Sequence, residues 1–202
     1  MRRALFGGSF DPFHNGHLAV VRALQDRDIC DRLVLVPATL SPGKPPPLAD
    51  GRHREAMALL GVSGQAYVSV LDLELRRPGP SYTVDTLATL TRMHPDDDWL
   101  LVVGSDAWCD FRTWRDPDRV LELAQVVVFP RPGSEPDPRT LRPPVSLLED
   151  FRVTVSSSDV RRRLVEGRAV DELVPAPVLD YIRDHDLYAA AGGLDGGDEP
   201  CR

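Results

Sequence analysis

Residues 7–17, GGSFDPFHNGH, set two histidines three positions apart, His14 and His17, among three glycines. Imidazole rings at that spacing on the first turn of a helix can both donate N–H bonds to one anion. Charge spread over a phosphoryl group in a transition state is what such donors stabilise. Gly7 and Gly8, lacking Cβ atoms, let a phosphate approach the backbone, and a helix starting near Gly16 turns free N–H groups and its positive dipole end to the same place. The same pair could instead be solvated residues or a helix cap, and no motif decides this alone. A second set of anion-binding types lies at 156–161, where Ser156, Ser157 and Ser158 are candidate N-caps before Arg161, Arg162 and Arg163. "RRR" by itself reads as a solvated helix face. The 24 basic residues are 23 arginines and one lysine, Lys44, in the loop SPGKPPP. A compact, flexible ammonium there suits a phosphate contact, against the alternative of chance retention on a surface loop.

These residues must be positioned by regular elements, and the pattern alternates. Residues 3–8 (RALFGG) and 32–38 (RLVLVPA) read as short buried strands, and 17–28 between them as a helix with Leu18, Val21, Leu24 and Gln25 at helical spacing. Helices are expected at 53–61 and 82–94, and strands at 67–75 and 99–106. After 126–130 comes a Pro-rich surface loop, 131–144, then strand, serine cap and basic helix over 152–167, and a last helix over 175–188. The expected fold is α/β and Rossmann-like: a doubly wound, mostly parallel sheet with helices on both faces and a small C-terminal helical part. Ligands of such sheets bind beyond the carboxyl ends of the strands at the switch point, and GGSFDPFHNGH follows the first strand.

Composition narrows the class. At 202 residues, 42% hydrophobic and 27% charged, the chain fits one soluble domain, taken as 1–188, with 189–202 as a frayed tail. A net charge of −7 argues against nucleic acid as a partner. No apolar run is long enough to span a membrane, no cleavable leader follows the two N-terminal arginines, and three scattered cysteines suggest neither disulfides nor a metal site, so a cytoplasmic protein is expected. A homo-oligomer stays open. No cluster of His, Cys, Asp and Glu has metal-ligand spacing, and no protein metal site is expected.

The first-strand string resembles the GxFDPxHxGH motif of the HxGH nucleotidylyltransferases through Gly8, Phe10, Asp11, Pro12, His14, Gly16 and His17, and residues 155–161 resemble that superfamily's (I/V)SSTxxR motif. Within it the chain is similar to bacterial nicotinate mononucleotide adenylyltransferases through GPSYTVDTL (79–87), VGSDAWCDFRTW (103–114) and RPG (131–133), the resemblance covering residues 4 to about 188. It implies attack by the 5′-phosphate of nicotinate mononucleotide on the α-phosphorus of ATP, giving nicotinate adenine dinucleotide and pyrophosphate. By resemblance His14, His17 and Arg161 are catalytic. Gly7, Gly8, Ser9, Phe10, Gly16, Lys44, Ser157 and Ser158 line the ATP phosphates. Tyr82, Thr83, Gly104, Asp106 and Trp114 receive the nicotinate nucleotide, with Trp114 stacking on the pyridine ring. Core packing is the competing reading for Trp114, and capping of the next helix for Asp106. Asp11 reads as structural, since a carboxylate facing ATP would repel it. Where the family has PPHK, this chain has Ser41-Pro42-Gly43-Lys44, which removes one histidine contact. Mg²⁺ is expected to arrive on the ATP phosphates. The alternatives are a nicotinamide nucleotide or another HxGH-type acceptor, or a nucleotide sensor without turnover.

Overall fold

The computed structural model describes residues 1–134, 136, 137, 139, 141–148 and 151–189. Six strands form one wholly parallel sheet: β1 (Arg2–Gly8), β2 (Arg32–Pro37), β3 (Val68–Val70), β4 (Asp98–Gly104), β5 (Gln125–Phe129) and β6 (Val145–Leu147), in the order β3-β2-β1-β4-β5-β6. The order reverses between β1 and β4, so the switch point falls where the sequence places the glycine–histidine string.

Past the polar residues at their starts, the central strands are near-continuous apolar runs because both faces are covered. Alternate residues enter two separate cores. Ala4, Phe6, Leu33, Leu35, Leu100 and Val102 pack against α1 (Asn15–Asp26), α2 (Gly51–Gly61) and α7 (Ala176–Asp184), together with Val160 of α6 (Ser157–Val165). Leu5, Val34, Val36, Leu101 and Val103 face α3 (Thr83–Met93), α4 (Ser105–Cys109) and α5 (Pro117–Leu123).

The expected α/β architecture is observed, with local corrections. On α1 the buried set is Gly16, Val20, Val21 and Leu24, while Gln25 faces solvent. The strand expected over 67–75 is confined to Val68–Val70, because the chain then turns inward to bury Glu74. No strand forms at 152–155. Val153 is buried against α1, but the free edge of β5 is already paired with β6, an element the sequence reading did not assign. Apolar alternation there signals burial without a ladder partner. The short helix that Asp106 was expected to cap is α4, which starts at Ser105 with Asp106 inside its first turn, whereas α5, marked by Pro117 at its first turn, was missed. The last helix ends at Asp184, and residues 190–202 of the expected tail lie outside the described residues.

One contact couples a helix end to the histidine string. A Cβ on Gly61, the last residue of α2, would overlap the ring of Phe13, which is wholly buried. Gly61→Ala is therefore expected to destabilise the fold by about 1–3 kcal/mol, as overpacking does, measured as a lower urea midpoint with an unchanged slope.

Candidate active site

A cavity of about 550 Å³ opens at the switch point. Gly7, Gly8 and Ser9 form one wall, Lys44 and its neighbours 41–43 the rim, and Tyr82, Thr83, Gly104, Asp106 and Trp114 the far side. A more open groove of about 870 Å³ runs along the outside of α1 and touches none of the predicted site residues. The smaller cavity gathers the glycine wall, Lys44 and all five residues expected to receive the nicotinate nucleotide. Phe10, His14, Gly16, His17, Ser157, Ser158 and Arg161 do not line it; apart from Ser158, which is exposed, they gather around the first-strand loop beside it.

The two histidines cap α1 reciprocally. The backbone N–H of His17 donates to Nδ1 of His14 (3.3 Å), and that of His14 donates to Nδ1 of His17 (3.2 Å). The rings stack with centroids 3.7 Å apart, 14° from parallel. A nitrogen that accepts an N–H carries no proton, so these bonds assign the proton of each neutral ring to Nε2. Burial holds His14 down to about 3, aided by the positive charge of Arg131, and burial also holds His17 well below its usual range, with His14 and Arg131 adding to it. Both rings are thus neutral Nε2–H donors near pH 7. Gly16 makes room for this: a Cβ there would sit 2.9 Å from the His14 ring and 2.6 Å from Val153.

Phe10 corrects the sequence reading. Its side chain is buried, packing edge-on to His17 at 4.9 Å, so it supports the histidine rather than lining a phosphate pocket. Its φ of 49° turns the loop, as few non-glycine residues do.

Asp11 is structural, as expected, and its partners are now specific. Its buried carboxylate accepts from the backbone N–H of Leu48 (2.8 Å) and Ala49 (3.0 Å) and from the hydroxyl of Tyr188 (2.7 Å). Arg161 donates through Nη1 to the Asp11 carbonyl (2.6 Å) and lies 3.4 Å from its carboxylate. Ser157 donates to the carbonyl of Pro12 (3.0 Å), and Ser156 caps α6 by accepting from the N–H of Asp159 (3.2 Å). The two separated motifs meet here, across 150 residues of sequence.

On the far side, Trp114 is half-buried and tilted on Phe111 at 5.3 Å, leaving it part of the cavity wall; the indoles packed in the core are those of Trp99 and Trp108. Thr83 is the first residue of α3, whose N-cap Tyr82 makes no side-chain cap bond, so N–H groups there remain open. Asp106, in the first turn of α4, lies 3.7 Å from Arg131, and both crowd the space a Cβ on Gly104 would need. Lys44 is exposed at the rim, on a loop turned by Gly43 at a φ of 73°.

Four residues escaped the sequence reading. Arg54 is buried and donates to the carbonyls of Ser9 (2.8 Å), Ala38 (2.6 Å) and Ala49 (3.0 Å), tying together the loops after β1 and β2. Glu74 lines the cavity, accepts from Thr86 at 2.6 Å, and is pushed up by burial. Arg131 and Tyr188 join the site as above. Arg54 falls on the inward face of its helix, a signal that periodicity could have given, and Arg131 opens the RPG string quoted above; Glu74 and Tyr188 have none.

Among the described residues no group of three His, Cys, Asp or Glu could hold a metal ion, and no helix is long and apolar enough to cross a membrane. A doubly wound sheet with paired anion donors beside a nucleotide-sized cavity at its switch point defines a nucleotide-binding protein of the phosphoryl-transfer kind. The chain belongs to the cytidylyltransferase-like family, whose model matches residues 5–163, and it groups there with nicotinate-nucleotide adenylyltransferases. It is 44% identical, over 93% of its length and the whole of the relative, to a Thermus thermophilus protein described as "Probable nicotinate-nucleotide adenylyltransferase". A Gloeobacter violaceus protein of the same description is 37% identical over 95% of this chain and 98% of its own. The fold matches Plasmodium falciparum nicotinic acid mononucleotide adenylyltransferase complexed with NaAD, with a TM-score of 0.78 over 93% of this chain and 97% of that one, at 22% identity.

Because the folded rings titrate below the ordinary histidine value of 6.5, the unfolded chain takes up protons first as pH falls. The stability linked to the pair is full above pH 6.5 and is lost progressively towards about pH 3. The expected result is a urea midpoint that declines from pH 6.5 to 4.5, with ¹⁵N spectra at pH 6 showing both rings as neutral Nε2–H tautomers. Titration of either ring near 6.5 would contradict the assignment.

Proposed function

We propose that the protein transfers the adenylyl group of ATP to nicotinate mononucleotide, releasing pyrophosphate and forming nicotinate adenine dinucleotide. The observation that carries this reading is the placement, on two sides of the loop after β1, of a histidine–arginine anion site and a cavity walled by Trp114 and the start of α3. The description carried by relatives that match nearly the whole chain supports the same reaction.

The acceptor's phosphate oxygen, already an anion, bonds to the α-phosphorus while the bond from that phosphorus to the bridging oxygen breaks, and pyrophosphate leaves with the electron pair. No general base is needed, so catalysis rests on alignment and neutralisation of charge. His14 and His17 supply Nε2–H donors to the α-phosphate, and their neutrality keeps them donors over the working pH range. Arg161 offers the rest of its guanidinium to the outer phosphates, with Lys44 closing over them from the rim and Ser157 and Ser158 at the α6 N-terminus. Gly7, Gly8 and Ser9 pass the reacting phosphates between the two halves. Trp114 stacks on the pyridine, the open N–H groups at Tyr82–Thr83 receive its carboxylate, and Asp106 beside Gly104 takes ribose hydroxyls. Mg²⁺ supplies charge neutralisation as part of the ATP complex, held by phosphate oxygens and water. The free thiols of Cys30 and Cys109 suit the reducing cytoplasm.

The test is pyrophosphate release from MgATP with nicotinate mononucleotide, nicotinamide mononucleotide or phosphopantetheine supplied separately. The expected result is strong preference for the nicotinate nucleotide, since an amide forfeits the charge-assisted bond. Equal use of the amide would overturn the carboxylate pocket, and ATP binding without release would favour a sensor. His17→Ala is expected to lower kcat about 100-fold or more, the cost of one lost oxyanion donor. A twofold loss would refute its role. Chelation of Mg²⁺ is expected to abolish release until the ion is restored.

A further inference from the structure

The far end of the described chain returns to the phosphate loop. Tyr188 lies two residues after Asp186, and both take a left-handed backbone, with φ of 61° and 49°. Non-glycine residues adopt that region at a cost, borne here where the chain swings the phenol under the loop. The hydroxyl donates to Oδ1 of Asp11 at 2.7 Å, and burial first, then the Asp11 charge, keeps the phenol protonated. Oδ1 also accepts from Ala49, while Oδ2 accepts from Leu48 and faces Arg161. The carboxylate is thus held by three donors before Arg161 meets it.

Arg161 engages this cluster through Nη1 alone. Its Nε and Nη2 make no hydrogen bond to any described residue, and the side chain keeps about a quarter of its surface exposed. A planar guanidinium anchored by one nitrogen presents the other two as a fixed fork, the geometry that suits two phosphate oxygens.

We propose that Tyr188 is a positioning residue for nucleotide binding: by saturating the Asp11 carboxylate it leaves Arg161 tethered by one nitrogen and aimed at the triphosphate. This rests on the role given to Arg161 above. Without the hydroxyl, Oδ1 has a vacant acceptor site, the carboxylate turns to draw the guanidinium into a two-point pair, and the fork is withdrawn from the ligand.

The experiment is a double-mutant cycle with Tyr188→Phe and Arg161→Gln, read as KM for MgATP, KM for the nicotinate nucleotide, and kcat. Tyr188→Phe is expected to raise the MgATP KM about five- to tenfold, leaving the other KM and kcat within about twofold, and to have no further effect in the Arg161→Gln background. A purely packing role would lower activity equally in both backgrounds, and that result, or an unchanged MgATP KM, overturns the proposal. Should Tyr188→Phe fail to fold at the assay temperature, Arg161→Lys decides. It keeps the charge without the fork and must raise the MgATP KM as much as Arg161→Gln, whereas a wild-type KM refutes the idea. If the wild type itself releases no pyrophosphate, the functional reading fails separately, and the same cycle is then read by equilibrium binding of α,β-methylene ATP.

Discussion

The reciprocal cap between His14 and His17 is the constraint on which the site depends. A helix start leaves its first N–H groups without partners, and side chains must supply acceptors. Here the acceptors are the Nδ1 atoms of the two residues that chemistry also requires, so a single pair of backbone bonds closes the helix and selects the tautomer. Proton, ring orientation and helix boundary cannot then be changed independently. The packing beneath follows from it: Phe10 and Phe13 lie against His17, Gly16 gives the His14 ring its space, and Gly61 gives Phe13 its own.

Around that cap, buried polar groups replace the regular structure that loops lack. Arg54 gathers three carbonyls from the ends of β1 and β2 and the start of α2, and Asp11 gathers two N–H groups, a hydroxyl and the edge of a guanidinium. Buried charges are costly unless hydrogen-bonded, and Arg54 meets that condition through three backbone carbonyls, Asp11 through two backbone N–H groups and a hydroxyl. The loops beside the cavity are therefore held by buried polar contacts as well as by the packing of Phe10 and Phe13.

How far the sequence disclosed all this varies with the physics involved. Short apolar strands alternating with helices of regular period gave the parallel sheet and the principal helices, because both faces of the sheet must be buried. The first-strand string gave the cavity wall, because glycines and histidines at fixed spacing are costly unless required. Val153 misled, since a buried apolar residue looks the same whether or not its backbone finds a ladder. Phe10 misled in the opposite sense, lying inside a binding motif while its ring serves the core. Glu74 and Tyr188 were illegible because their meaning comes from partners 12 and 177 positions away, and no local pattern records such distances; Arg131 was visible as part of the RPG string, but not its partner 25 positions away.

The scarcity of lysine acquires a practical meaning once the fold is known. Apart from the N-terminal ammonium, which lies 3.3 Å from Asp97, the chain carries one aliphatic amine, and it stands exposed on the rim of the cavity. Arginine is inert to acylating reagents, so among side-chain amines only Lys44 can react with them. The one lysine amine of the chain thus stands at the mouth of its own pocket, where a bound nucleotide would shield it.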